Sequence, residues 1–246
     1  MSGPIPVAAP LRVHDRLRGA SDGPRRVVHA SSTALYVDLD GWCLGLVSAR
    51  ATRVPCALWS TLPDLAVLHP VAQVRDGLLV VGDRPVRITR LVDPRAPRVG
   101  RHEEWSPRRP DAMTSALDGL DLPADGHLTS THLDRLVGRG PGLTPLGDDV
   151  LAGWFTARAA LGRPDDVLAA AVRDRLHTTT LLSATLLDCA IRGEALPQFA
   201  DWLADPTDPT ADALLAVGAT SGAGLLAGAG LALASIEDHT TSRRVA

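Results

Sequence analysis

Residues 138–153 read GRGPGLTPLGDDVLAG, and the rest of the chain is organised around this stretch. Its first ten residues hold four glycines, two prolines and Thr144 and lead directly into the pair Asp148–Asp149 and an apolar run. Glycine allows close backbone approach and positive φ, whereas proline stiffens a loop. A helix that begins near Asp148 would also present backbone N–H groups to a ligand. The pattern therefore predicts a functional turn at the start of a helix.

The turn differs from the phosphate-binding loop of nucleotide-binding proteins. Residues 142–147 have the outer glycine spacing of that loop, but Asp148 and Asp149 stand where it needs Lys followed by Ser or Thr. The sequence contains no lysine, which also excludes Schiff-base chemistry. The paired carboxylates instead fit a divalent cation such as Mg²⁺ bound with an anionic ligand, or a general base. The simpler alternative is that Asp148 or Thr144 only caps the helix.

Two later segments are candidates for the same pocket. Residues 218–224, GATSGAG, approximate the G-x-G-x-x-G turn of dinucleotide-binding proteins, but they follow a helical pattern rather than a strand. Their alternative role is close packing of two helices through small residues. Residues 177–183, HTTTLLS, place hydroxyls at a helix start, where threonine most often caps. In the functional alternative, both segments add hydroxyls to the pocket of the main turn.

The rest of the chain divides into a β-rich half and a helical half, which predicts the α+β class. Residues 1–30 are rich in Pro, Arg and Gly and predict an irregular arm. Residues 31–98 alternate apolar and polar positions around Asp-Gly turns, which predicts a small antiparallel β sheet or barrel. Residues 99–246 have the spacing of successive helices and carry the glycine-rich turn, so a mostly α-helical domain is expected there.

Composition narrows the class of protein. The 246 residues are 45% apolar and carry a net charge of −3, so neither nucleic-acid binding nor attachment to a membrane surface is expected. Residues 213–236 are uncharged and long enough to span a bilayer, but their central glycines and the polar pair Thr220–Ser221 favour two buried helices. The first residues lack the apolar core of a secretory signal. Three widely spaced cysteines, without a disulfide pattern, fit the cytoplasm.

The main turn resembles the signature of a known family. Residues 138–153 are similar to G-x-G-x-G-L-T-P-S-G-D-D-x-L-x-G, the signature of a bacterial domain family of unknown function that includes the AllH-type subunit of oxamate carbamoyltransferase. The threonine-rich helix start with Ser183 and the later glycine turn follow in the family's order. The β-rich half fits the family as well, so the resemblance extends over most of the chain.

The resemblance implies a carbamoyltransferase-type subunit from anaerobic allantoin breakdown, a branch of purine degradation. In that enzyme the carbamoyl group passes between oxalurate and phosphate, giving oxamate and carbamoyl phosphate, and other subunits take part. It implies a small anionic substrate and either partner subunits or a homo-oligomer. Asp148 and Asp149 are the candidate catalytic residues and the candidate ligands if Mg²⁺ binds; no other cofactor is indicated. The candidate substrate- or anion-binding residues are Gly140, Gly142, Thr144, Gly147, Thr179, Ser183, Ser221 and Gly222.

Three positions depart from the family pattern. Leu146 stands where the family usually has Ser, and Ala219 and Gly224 stand where the second turn is expected to hold His and Asp. The loss of these polar groups favours an alternative, a non-catalytic binding or assembly subunit of a multi-subunit complex. A further alternative is a stand-alone metal-dependent enzyme that acts on a small amide.

Overall fold

The chain forms two compact units, Met1–Pro94 and Arg95–Ala246, called here the N-terminal and C-terminal units. The structure, a computed structural model, describes residues 3–100, 117 and 119–244, and side chains as far as Ile236. A β-rich unit followed by a helical unit confirms the predicted α+β class.

The described part of the N-terminal unit is one nine-stranded sheet and a helix. The helix is α1 (Leu11–Gly19), and the strands are β1 (Ile5–Pro10), β2 (Gly23–Arg25), β3 (Val27–Ala30), β4 (Ala34–Leu39), β5 (Trp42–Val47), β6 (Ala57–Ser60), β7 (Ala72–Arg75), β8 (Leu78–Val81) and β9 (Arg84–Val92). Their spatial order is β2-β7-β8-β9-β1-β6-β5-β4-β3. The two end strands, β2 and β3, are separated in the chain by Arg26 alone, so the sheet nearly closes on itself. It is mixed rather than purely antiparallel, because β1 pairs with β9 and β5 with β6 in parallel.

The irregular arm predicted for residues 1–30 is wrong. Strand β1 lies in the middle of the sheet, between β9 and β6, and α1, β2 and β3 follow it. The side chains of Ile5, Val7 and Ala9 alternate into the core and are almost fully buried. This period-two pattern is the signal of a strand, but the prolines that interrupt it favoured a loop in the sequence.

The two predicted Asp-Gly hairpin turns are confirmed. Asp40 and Gly41, which join β4 to β5, have φ of 54° and 81°, and Asp76 and Gly77, which join β7 to β8, have φ of 51° and 70°. Positive φ at both central residues is what a two-residue turn needs to match the twist of the strands. The Asp38 carboxylate strengthens the first turn by accepting a 2.8 Å hydrogen bond from the Gly41 N–H.

The described residues of the C-terminal unit form seven α-helices and a short 3₁₀ helix. They are α2 (Ser130–Leu136), α3 (Leu146–Ala160), α4 (Asp166–Arg173), the 3₁₀ helix (Leu176–Thr178), α5 (Leu181–Ile191), α6 (Pro197–Ala204), α7 (Asp208–Leu215) and α8 (Ser221–Arg244). Helix α3 is buried along nearly all of its length. Its neighbour α8 follows a break after α7, as the two-helix prediction for residues 213–236 requires. Among the described residues, no helix is long and apolar enough to cross a membrane.

Helices α3 and α8 meet backbone to backbone through glycine. A β-carbon at position 153 would lie 2.2 Å from the carbonyl oxygen of Leu225, and one at position 228 would lie 1.9 Å from that of Val150. Any side chain at either position would therefore push the helices apart. This contact sets the separation of the two helices whose N-terminal ends carry the predicted site.

Candidate functional site

Asp148, in the first turn of α3, is held by three hydrogen bonds. Its Oδ1 accepts from the Gly138 N–H at 2.8 Å, and its Oδ2 accepts from the hydroxyls of Thr179 at 2.5 Å and Ser183 at 2.6 Å. The side chain is 1% exposed, and burial raises its pKa while these three donors oppose the shift. A carboxylate whose two oxygens both accept hydrogen bonds from the protein has a structural role. It ties the glycine-rich loop and the start of α5 to α3.

The glycines of the main turn make the loop fold closely onto α2 and α3. A β-carbon at position 147 would lie 2.1 Å from the Leu136 carbonyl oxygen, and one at position 140 would lie 2.8 Å from the Leu146 nitrogen. Gly138 has a φ of 73°, a conformation that glycine adopts readily. These glycines are required by packing and backbone geometry, whatever further role they have.

Most N–H groups at the start of α3 are already paired, contrary to the expectation of bare donors. The Gly147 N–H donates to the Arg139 carbonyl at 2.9 Å, and the N–H groups of Asp148 and Asp149 donate to the Pro145 carbonyl at 3.0 and 3.1 Å. The loop turns back on itself tightly enough to cap its own helix. An anion could therefore bind these three N–H groups only by displacing the carbonyl oxygens that already accept from them.

Asp149 has a different environment from its neighbour. It is 7% exposed, and its Oδ2 is buried with no hydrogen-bond partner among the described residues. Burial and, to a smaller extent, the charge of Asp148 raise its pKa to about 8, and a hydrogen bond with Ser221 only partly opposes them. Burial thus favours the protonated form of Asp149, in which its O–H can donate.

The second glycine turn meets the first beside Asp149. The hydroxyls of Thr144 and Ser221, both half-buried, are 3.0 Å apart. A β-carbon at position 224 would lie 2.7 Å from Cβ of Asp149, so only glycine allows α8 to pack this closely against Asp149. Position 222 is closed by packing, since a β-carbon there would lie 1.9 Å from the Leu214 carbonyl oxygen.

The threonine-rich segment caps a helix, as the simpler alternative predicted, and also binds the main loop and Asp148. Thr180 caps α5, because its hydroxyl oxygen accepts from the Ser183 N–H at 3.1 Å. The same hydroxyl donates to the Leu143 carbonyl at 2.5 Å and so holds the main loop. Thr179 and Ser183 are directed to Asp148 instead, as described above.

Comparison with known families bears directly on this cluster. Residues 136–233 match the family model described as oxamate carbamoyltransferase subunit AllH. This segment is similar to AllH. The resemblance found in the glycine-rich turn is thereby confirmed. Comparison with the curated proteins and with the solved structures gives no significant match.

The AllH-like segment, residues 136–233, contains every group of the site. It includes the loop that begins at Gly138, the Asp148–Asp149 pair, the threonine-rich helix start and the second turn as far as Gly224. The strands of the N-terminal unit lie outside it.

Within the AllH-like segment, the predicted residues fall into two groups. Asp148, Thr179 and Ser183 form one polar cluster, and Asp149, Thr144 and Ser221 form a second cluster beside it. Gly140, Gly147 and Gly222 serve close packing. Gly142 is exposed, with a φ of 92°, and no atom in the described part of the chain lies within 4 Å of where its β-carbon would be.

The residue list drawn from the sequence omitted Gly138, Thr180 and Gly224. Gly138 lies within the quoted turn, but its role as an N–H donor depends on where the chain folds. Thr180 could have been inferred from its position before an apolar run, since a threonine there is a typical cap. Gly224 was noted only as a departure from the family pattern, and its contact with Asp149 explains why no side chain fits there.

The geometry gives little support to the hypothesis that Asp148 and Asp149 bind Mg²⁺. Within the described ranges, no group of three or more His, Cys, Asp or Glu side chains could hold a metal ion. Both oxygens of Asp148 already accept hydrogen bonds, so Asp149 is the one member of the pair with an oxygen available. A single available carboxylate oxygen is a poor start for a magnesium site, which needs near-octahedral coordination.

Proposed function

We propose that this protein is a carbamoyltransferase-type subunit that acts, with partner subunits, on a small ureido or amide acid such as oxalurate. Two findings support the proposal together: residues 136–233 match the AllH family model, and Asp149 within them has a buried carboxyl oxygen to which no described residue donates a hydrogen bond. In the resembled enzyme, oxalurate and phosphate give oxamate and carbamoyl phosphate. We further infer a cytoplasmic location, which the buried thiols of Cys43, Cys56 and Cys189 support.

The two aspartates have separate roles in this proposal. Asp148 is a positioning residue, because its hydrogen bonds to Gly138, Thr179 and Ser183 hold the loop and α5 around the site. Asp149, flanked by the Thr144 and Ser221 hydroxyls, orients the amide or ureido group of the substrate. Asp149 is therefore the candidate catalytic residue of the pair.

Turnover of the assembled complex tests this assignment. Asp149→Ala should lower carbamoyl transfer from oxalurate to phosphate by at least tenfold, without loss of the complex. Asp201→Ala is the matched control, because Asp201 is an exposed aspartate in the same unit. If Asp149→Ala turned over like the control variant, the site assignment would be wrong.

A non-catalytic assembly subunit is the second candidate. It is favoured by Leu146, which is buried where the family usually has Ser, and by the absence of side-chain space at Gly224. Native mass spectrometry of the chain co-expressed with the products of neighbouring genes would separate the two. A stable hetero-complex whose turnover is insensitive to Asp149→Ala supports assembly alone, whereas an active homo-oligomer of this chain excludes it.

A further inference from the structure

We propose that the neutral carboxyl group of Asp149 binds a primary amide, such as a carbamoyl or carboxamide end, in preference to a carboxylate. This binding needs no divalent cation. This inference rests on the proposed function and specifies how its site recognises the substrate. It makes Asp149 a specificity-determining residue.

The first argument is the unpartnered oxygen. Oδ2 of Asp149 is buried and accepts no hydrogen bond from any described residue, in a side chain that is only 7% exposed. Leaving a buried polar atom without a partner is unfavourable, because the atom gives up its hydrogen bonds to water and gains none. Such an atom in an otherwise well-packed helix pair indicates that something else supplies the partner. Gly224 of α8 packs directly against Asp149, since a β-carbon at position 224 would lie 2.7 Å from Cβ of Asp149, so no side chain from this position supplies the missing partner.

The second argument is the division of charge between the aspartates. Asp148 has three donors, from the loop and from α5, which stabilise its ionised form. From α8, the polar group facing Asp149 is the Ser221 hydroxyl, and the charged group acting on it is Asp148. Because the second charge of a close carboxylate pair is unfavourable, the proton stays on Asp149.

A neutral carboxyl group has one O–H donor and one acceptor oxygen on adjacent atoms. A primary amide presents the complementary acceptor and donor, so the two can form a pair of antiparallel hydrogen bonds. A carboxylate ligand can accept the O–H but has no N–H to donate in return, and it would add a third carboxyl group beside Asp148 and Asp149. The hydroxyls of Thr144 and Ser221, 3.0 Å apart, are half-buried and are thus more exposed than Asp149.

Calorimetric titration of the full-length protein tests the inference with two small acids of similar size. Oxamate has a primary amide next to a carboxylate, whereas oxalate has a second carboxylate in place of the amide. We expect oxamate to bind at least tenfold more tightly than oxalate at pH 6.5, with no change on adding EDTA. Affinity for oxamate should fall about tenfold at pH 9, because one unit above the pKa leaves roughly a tenth of the sites protonated.

Two substitutions at the same position separate the neutral from the ionised form. Asp149→Asn keeps an adjacent donor and acceptor, so it should retain oxamate binding and lose the pH dependence. Asp149→Ala should lose binding by tenfold or more, and Asp201→Ala should bind like the parent protein. Binding that required Mg²⁺ and was abolished by Asp149→Asn would show an ionised metal ligand and overturn the inference.

The remaining outcomes are also decisive. If the protein bound neither acid, or bound both equally, Asp149 would have no part in selecting an amide. If the assembled complex transferred carbamoyl groups while this chain failed to bind oxamate, the inference would fail and the proposed function would stand. If a complex bound oxamate but catalysed no carbamoyl transfer, the proposed function would fail and the inference about Asp149 would stand.

Discussion

The hydroxyl of Ser183 donates a 2.6 Å hydrogen bond to Oδ2 of Asp148, across 35 positions of the chain. Both groups are buried, and Thr179 donates to the same oxygen. A carboxylate at the start of one helix thereby holds the start of another. The stability of the C-terminal unit should consequently depend on Asp148 more than on any single hydroxyl that it binds.

Replacing Asp148 should destabilise the protein strongly. Asp148→Ala removes the acceptor of three hydrogen bonds and leaves buried donors unpaired, so we expect a loss of about 3 kcal/mol or more in the free energy of unfolding. Ser183→Ala removes one of these bonds and should lose about 1–2 kcal/mol. Denaturant unfolding at pH 7 would measure both, and a loss below 1 kcal/mol for Asp148→Ala would contradict the anchoring role.

The pKa of Asp149 predicts a specific dependence of stability on pH. Its ordinary value is 3.8 and its folded value about 8, so between these limits the folded state holds a proton that the unfolded state releases. Stability from this group is therefore greatest below about pH 4 and declines as pH rises to about 8, by at most about 1.4 kcal/mol per pH unit.

Asp149→Asn should remove this decline, because the amide does not titrate. Unfolding free energies of the two proteins at pH 5, 6, 7 and 8 should diverge in favour of the Asn variant as pH rises and stay level above pH 8. Asp201→Asn, which alters an exposed aspartate, is the control. Parallel curves for the parent protein and the Asp149→Asn variant would show that Asp149 is ionised in the folded state throughout this range.

Gly147→Ala should disrupt the turn. The added β-carbon would lie 2.1 Å from the carbonyl oxygen of Leu136, and a backbone atom cannot move aside as a flexible side chain can. We expect destabilisation of about 3 kcal/mol, at the upper end for overpacking, with faster amide hydrogen exchange in α3. Gly100→Ala is the control because no atom of the described residues lies within 4 Å of its β-carbon position. Equal exchange in the two variants would mean that the loop can move away from α2.

Introducing at position 224 the Asp expected from the resembled signature should destabilise this protein. Gly224→Asp would place a β-carbon 2.7 Å from Cβ of Asp149 and add a third carboxyl group to the pair. We expect a loss of at least about 2 kcal/mol in unfolding free energy. Ala219→His restores the other expected residue at an exposed position and should change stability by less than about 0.5 kcal/mol. A Gly224→Asp variant as stable as the parent protein would show that α3 and α8 can separate there.

Much of the helical unit could be predicted from local patterns. The break between α7 and α8, the helix after the glycine-rich turn and the cap at Thr180 all follow from glycine, proline and threonine at particular offsets. The tight Asp-Gly turns of the sheet are likewise local, because each needs two adjacent residues that accept positive φ. The central position of β1 could not be predicted this way, since it depends on pairing with β9, about eighty residues away.

The sequence by itself determined that two adjacent aspartates follow a glycine-rich turn, that lysine chemistry is excluded, and that the turn resembles the AllH signature. Only the tertiary structure gave the aspartates different environments. Consecutive residues of an α-helix point about 100° apart, so Asp148 faces α5 and Asp149 faces α8. Three donors meet the first carboxylate, whereas the second is left with a buried oxygen that has no partner among the described residues. Which of two identical side chains holds the proton is decided by such contacts, because desolvation and hydrogen bonds depend on neighbours that are distant in the chain.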